Sequence, residues 1–492
     1  MPPSLALVLT LGFIAALVVR DAVRREPVDG ALWIPVFWMV VTGSRFVSQW
    51  INLGNKGFSA SVSEGSPLDA MYFLVLIMVG LIVLVRRRVR VAEVLRKNAW
   101  LVAFAVYAFV SILWSDFPFI ALKRWIKTLG HPVMALLVLT DPDPSRALRT
   151  VLRRCGYFFL PMSVLFIRYF PEYGRGFDAW DGAAYNRGIG LTKNDLGYVC
   201  MIMGLFFSWN LLSASTIPDK GSRNWEMALS AGFLAMVAWL LKSANSATSL
   251  VTLVLGLAML IVLRSGLVNY RRLGTYFIVG VVLITILEVG FDIYAGTIEL
   301  LGRDPNLTDR TAVWTDVIAL QPNVAIGAGF ESFWLGARLE HMWAKWWWHP
   351  SQAHNGYIEI YLNLGVIGLV LLVGVLVSAF RKIKQQLSSD SQRDFAQLRL
   401  AFLVAILAYN YTEAAFKGVH LVWTIFHLVA MDYSPDYSAS TVTPERPHRP
   451  RQASVRRHRA IARPGITVRL PPPHGRSKRA VHRRRPDVGS NR

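Results

Sequence analysis

Residues 357–380 read YIEIYLNLGVIGLVLLVGVLVSAF, a nearly unbroken apolar run. A helix needs about 17–25 such residues to cross the roughly 30 Å hydrocarbon core of a bilayer. In lipid each backbone polar group must find its partner within its own segment, so the run reads as a helix and not a strand. Twelve further runs, approximate at their ends, repeat the pattern. They are Ser4–Val19, Ala31–Val47, Leu68–Val85, Ala99–Trp114, Leu122–Leu139, Tyr157–Ile167, Asp195–Leu212, Trp225–Leu241, Thr248–Leu263, Leu273–Phe291, Leu398–Tyr411 and Val419–Met431. The Tyr157 run is the shortest. With 53% hydrophobic residues and a mean hydropathy of +0.38, the chain is too apolar for a soluble globule. The expected fold class is all-α: a polytopic integral membrane protein with about 12–13 transmembrane helices over 1–433. One large loop spans about 291–356, and a disordered basic tail spans 434–492.

The net charge of +22 would suggest nucleic acid on a soluble protein, but its placement argues otherwise. From Arg446 onward fifteen Lys and Arg face one acid, Asp487, in a Pro-rich stretch nearly free of aromatics. Such a tail cannot bury a core. It suits the anionic cytoplasmic leaflet, with a partner-binding role as the other reading. The remaining clusters fall in alternate loops: Arg20, Arg24 and Arg25; Arg86 to Lys97; Arg146 to Arg154; Lys220 and Arg223; Arg264, Arg271 and Arg272; Arg381 to Arg393. Basic loops mark the cytoplasm, so the large loop and the shorter Arg168–Lys193 loop face outward. The first run has neither a basic start nor a small-residue cleavage site and reads as a retained span. Cys155 and Cys200 sit at a span end and inside a span, so neither a disulfide framework nor a thiolate metal site is expected.

Three outward stretches hold polar groups suited to chemistry. Tyr185 to Gly197 is Gly-rich and places Lys193 and Asn194 at a helix start, where free N–H groups favour an anion. Arg187 adds a planar fork that can grip phosphate oxygens; the bland alternative is a set of cations resting among headgroups. Leu301 to Trp314 carries Arg303 and Arg310, with Thr308 or Asp309 able to cap a helix starting near Arg310. Val313, Val317 and Leu320 form one stripe of that helix, and a salt bridge from Arg310 to Asp309 or Asp316 is its structural alternative. His349 to Tyr361 holds His354, Asn355 and Tyr357 where the loop re-enters the membrane. Histidine suits proton transfer near neutral pH, although a lone His at a membrane boundary is more often a wet structural residue. Trp343 and Trp346 to Trp348 read most simply as an interfacial aromatic belt, with sugar stacking as a second use. Lys123, Arg124 and Lys127 begin the fifth run and should line a cavity or snorkel outward. Asp178 and Asp181 suggest a metal pair only weakly, and the chain has no Walker loop, dinucleotide fingerprint or nucleophile elbow.

Four ordered stretches resemble the O-antigen ligase/polymerase superfamily of bacterial polytopic membrane glycosyltransferases, most closely its exopolysaccharide-production polymerase branch. They are Ser111 to Pro118; Arg187 to Gly197; Arg303 to Trp314 followed by Gly327 to Trp334; and His354 to Tyr357 followed by Asn363 to Gly368. Asp309 stands where that family usually has Gly, and Thr192 where a His often precedes the Lys-Asn pair. The resemblance implies transfer of a glycan from undecaprenyl pyrophosphate at the periplasmic face of the inner membrane. It implies His354 as general base, Arg310 and Arg187 on the pyrophosphate, and Lys193, Asn194, Arg303, Asn355, Tyr357, Lys123 and Arg124 lining the substrate site. Pyrophosphate leaves readily, so no metal or other cofactor is called for. The implied partners are the lipid-linked oligosaccharide, the membrane, and chain-length regulator and export proteins, with no nucleic acid. Polymerisation into exopolysaccharide is the first reading. Ligation of polymer onto lipid A core is the second, and a polysaccharide flippase or transporter the third.

Overall fold

The computed structural model describes residues 1–25, 28–53, 65–178, 182–291 and 310–433. Arg303, Thr308, Asp309, Asp181 and the basic tail lie outside them. The helices that frame the site are, in chain order, α1 (Pro3–Arg24), α2 (Trp33–Thr42), α3 (Pro67–Arg86), α4 (Ala99–Val110), α5 (Pro118–Thr128), α6 (Gly130–Leu139), α7 (Pro144–Tyr169), α8 (Lys193–Ala214), α9 (Lys220–Ala244), α10 (Ala247–Arg264), α11 (Leu273–Phe291), α12 (Arg310–Ala319), α13 (Ala337–Lys345), α14 (Gly356–Leu387), α15 (Arg393–Thr412) and α16 (Leu421–Ala430). A small hairpin pairs β1 (Arg175–Phe177) with β2 (Ala184–Asn186) in antiparallel register. The all-α polytopic expectation holds.

Each of the thirteen apolar runs overlaps a helix, and eight described helices are long and apolar enough to cross a membrane. Four of the other five runs are cut or shortened. Leu122–Leu139 is divided between α5 and α6 near Gly130, which presses on Trp38; a Cβ there would lie 2.0 Å from the indole. Ala99–Trp114 meets the short helix Val91–Lys97 at a 95° bend, and α2 and α16 are short. The run at Tyr157 is corrected in the opposite sense. It is the buried second half of a 26-residue helix that starts where Asp143 caps it and Pro144 takes the first turn. Arg146, Arg149, Arg153 and Arg154 therefore ride on that helix rather than on a loop. Hydropathy alone hid its first half because charges there are spent on partners inside the bundle.

Those partners gather the basic clusters at one end. Arg153 pairs with Glu226 at 3.0 Å, and Arg25 with Asp21 at 2.8 Å and also with Glu226. Arg20 covers the Trp225 ring, Arg264 pairs with Asp394, and Arg149 reaches Asn210 at 3.0 Å. The helix ends carrying Arg45, Arg187, Lys193, Arg310, His354 and Glu413 collect at the other end. Small residues let the helices approach closely: Gly204 packs on Leu253, and Gly256 on Leu205 and Ala405.

The loop after α12 is pinned into a break in α14. Gly365 there has φ 65°, and any Cβ would lie 2.2 Å from the Ala325 carbonyl oxygen. Backbone groups freed by the break are satisfied by the loop: Val366 and Ile367 donate to Val324 and Ala325, while Ala328 donates to Leu362. The Ser111 to Pro118 turn clamps the same loop from the opposite side. Ser111 accepts from the Phe330 N–H, Ser115 meets Ser332 at 2.6 Å, and Arg338 pairs with Asp116 at 2.8 Å. Under the loop Val313, Val317, Phe333, Met342 and Leu362 form a small core, with Trp346 and Trp348 packed against it. The Trp group is thus loop core rather than a belt: Trp346 donates to Asp316 and Trp343 to the Pro350 carbonyl, leaving Trp347 the exposed member. Gly365→Ala is expected to cost about 1–3 kcal/mol in backbone strain alone, and more from the clash with Ala325. Folded protein recovered from membranes should fall severalfold, and recovery equal to wild type contradicts this role.

Candidate functional site

One residue organises the site, and it was not among those singled out in the sequence. Glu413 follows the last turn of α15 with its side chain 7% exposed. Its Oε1 accepts from Asn194 Nδ2 at 2.8 Å and from Arg310 Nη2 at 3.0 Å, and its Oε2 lies 3.2 Å from His354 Nδ1. Arg310 Nη1 also donates to the Thr412 carbonyl. The start of α8, the start of α12, the entry to α14 and the end of α15 are thereby tied to a single carboxylate. Burial pushes the Glu413 carboxyl up, but Arg310 and the His354 hydrogen bond outweigh it and hold the group at about 2. The salt bridge that the sequence offered Arg310 at Asp316 is not made: Asp316 instead receives Lys345 and Trp346.

His354 is poised by this arrangement. Its φ of +51° is left-handed backbone, stabilised by the Asn355 cap that starts α14. A carboxylate can only accept, so Glu413 selects the tautomer with hydrogen on Nδ1. Nε2 then carries a lone pair and, among the described residues, no hydrogen bond. That is the orientation an imidazole needs in order to receive a proton. Trp348 lies against the ring at 6.3 Å.

Arg187 sits beside this cluster rather than on it. Its Nε and Nη2 donate to the carbonyls of Tyr173 and Glu172 at 3.0 and 3.2 Å. Arg45 shares the Tyr173 carbonyl at 2.7 Å, is 3% exposed, and leaves Nη1 buried with no hydrogen-bond partner among the described residues. Two guanidinium groups converging on one carbonyl, one with an orphaned buried donor, make a place for an anion. Arg45 lies within an apolar run, where a cation marks a functional position by default; that was the readable signal, whereas Glu413 falls between two runs and carried none.

The other candidates divide into two groups. Lys193 pairs with Asp178 at 2.7 Å, so Asp178 serves that lysine, and among the described residues no group of three His, Cys, Asp or Glu could hold a metal ion. Asn355 caps α14 and donates to Tyr411, while the Tyr357 hydroxyl donates to Leu407, so both side chains use their polar atoms on backbone. Lys123 lies over Phe119, and Arg124 donates to the Glu331 carbonyl at 2.5 Å. That second basic group connects to His354 through Glu331, which accepts from Gly418, and through Lys417, which donates to Gln352 beside His354.

The O-antigen ligase family model matches residues 231–373, which run from the second half of α9 through α10 and the described part of the large loop to the His354 entry and the first half of α14. Over 308 residues the chain is 30% identical to the exopolysaccharide production protein ExoQ of Rhizobium meliloti (strain 1021). By both comparisons the chain is similar to the O-antigen ligase superfamily. That likeness covers 59% of this chain and 66% of the relative, so the chain spans just under two thirds of that protein's length. The superfamily resemblance rests on four separate stretches; their described residues meet through Glu413, which receives Asn194, Arg310 and His354, and around the loop, where Phe330 bonds Ser111 and Phe333 bonds Asn363.

Proposed function

We propose that this protein is a metal-independent membrane glycosyltransferase that polymerises undecaprenyl-pyrophosphate-linked oligosaccharide repeat units into exopolysaccharide at the periplasmic face of the inner membrane. The observation that carries the reading is the His354–Glu413–Arg310 cluster, a base and a cation on one buried carboxylate. An acceptor hydroxyl gives its proton to His354 Nε2 as its oxygen bonds to the donor's anomeric carbon. The bond from that carbon to the pyrophosphate oxygen breaks, and undecaprenyl pyrophosphate leaves. Negative charge grows on the leaving group, and fixed guanidinium donors in a water-poor site stabilise it. Arg310 has N–H groups left after serving Thr412 and Glu413, and Arg187 and Arg45 supply the rest.

The relative's role in exopolysaccharide production favours polymerisation over ligation of polymer to lipid A core. In this reading the 434–492 tail is cytoplasmic, and chain-length regulator and export proteins are partners. Purified protein given a defined lipid-linked donor tests it. Products several repeat units long support polymerisation. Product only on a supplied core acceptor supports ligation, and no new glycosidic bond removes the enzyme assignment. Arg310→Lys is expected to lower turnover about 10²-fold, because one ammonium cannot serve Thr412, Glu413 and a pyrophosphate together. Wild-type polymer length from a normally abundant variant argues against that role.

A further inference from the structure

A groove of about 570 Å³ opens between α9 and α10, against the flank of α8. That volume lies in the range of small-molecule sites. Its floor includes Gly204 and Ser208, its walls include Val237, Leu253 and Leu257, and Leu250 and Val254 at its mouth are 41% and 55% exposed. From Ala247 to Leu257 it extends ten residues along α10, about 15 Å, or half the hydrocarbon thickness. Apart from Ser208 in the floor its lining is apolar until one end, where Lys242, Asn245 and Ser246 stand. Lys242 makes no ion pair among the described residues.

The polar end abuts the Glu413 cluster. Thr248, one turn into α10, hydrogen-bonds Thr412 at 2.9 Å, and Glu413 is the next residue. Gly197, one turn into α8 past Asn194, packs on Ser246 and Ser249. Asn186, beside Arg187, donates to the Ser243 carbonyl at 3.2 Å. A lipid whose chain occupies this groove therefore has its headgroup between Lys242 and the Arg187 and Arg310 donors.

We infer that the groove between α9 and α10 holds the hydrocarbon tail of the donor as one polyisoprenyl chain, with Lys242 at its phosphate end. A single cleft floored by Gly204 and Ser208 accepts one methyl-branched chain between Leu and Val ridges. A diacyl phospholipid presents two chains joined at the headgroup and seats only one of them. The inference rests on the reading above of the donor as a pyrophosphate-linked lipid.

Photo-labelling of the full-length protein in phosphatidylethanolamine/phosphatidylglycerol nanodiscs tests it. The probe is a polyprenyl pyrophosphate bearing a diazirine in its tail, with labelled peptides mapped by mass spectrometry. Label is expected on the stretches around residues 234–257, to be displaced by unlabelled polyprenyl pyrophosphate, and to fall roughly tenfold in Ala238→Trp, which fills the groove. Ala235→Trp, an exposed position outside it, should label as wild type. Label elsewhere, or displacement by added phospholipid as effective as by polyprenyl pyrophosphate, overturns the inference. Labelling needs no turnover, so groove labelling in a protein that forms no glycosidic bond retains the tail site and removes the proposed reaction.

Discussion

Replacing His354 with Ala is expected to lower glycan transfer by about 10²–10⁴-fold at unchanged protein abundance, the range that a positioned general base contributes. The expectation follows from geometry: Nδ1 is committed to Glu413, and Nε2 is the ring atom left for the acceptor hydroxyl. Since the residue adopts left-handed backbone, His354→Asn is the better control for folding, because Asn tolerates that region and still donates to Glu413. Both variants should bind the lipid-linked donor with near-normal affinity and fail in turnover. A variant of normal abundance that still makes wild-type polymer removes the base assignment and favours a transport role.

Glu413→Ala should be the most damaging single change to folding. It leaves the Arg310 guanidinium, 18% exposed, without its counter-charge, and breaking a buried pair from one side costs about 3–5 kcal/mol. It also frees the Asn194 amide and releases His354. Pairing it with Arg310→Met should restore abundance but not transfer, and a double variant no more abundant than the single one contradicts the pairing. The pH dependence has a definite sign. Glu413 titrates at about 2 in the fold, below the roughly 4.3 of an unfolded glutamate. Its stabilisation is therefore complete above that unfolded value and is lost as pH falls toward 2. Thermal unfolding in detergent should show this loss in wild type and not in Glu413→Gln; equal acid sensitivity in both sinks the assignment. The same position means that Glu413 stays charged across neutral pH, so any acid limb of activity near pH 6 has another origin.

What was legible in the sequence follows from length scales. A run able to span hydrocarbon needs no tertiary information, which is why all thirteen runs overlap helices. The helix start at Lys193 and Asn194 is likewise local, since the Thr192–Asp195 capping box that makes it satisfies N–H groups within its own first turn. Charges inside helices misled the reading where their partners were distant. The first half of α7 looked like a basic loop because Asp21, lying more than a hundred residues from Arg153, cannot be seen from a window. The Trp group looked like a belt because its partners Asp316 and Pro350 belong to the loop's own small core.

The sequence by itself determined that this is a polytopic helical membrane protein with a large polar loop, and which motif stretches deserve attention, because hydrophobic length and local capping act within a few turns. Only the tertiary structure decided that those stretches meet at Glu413, that Arg45 joins Arg187, and that the polar atoms of Asn355 and Tyr357 bond backbone groups. A buried carboxylate draws its partners from four segments at once, and long-range electrostatics of that kind has no signature in any one of them.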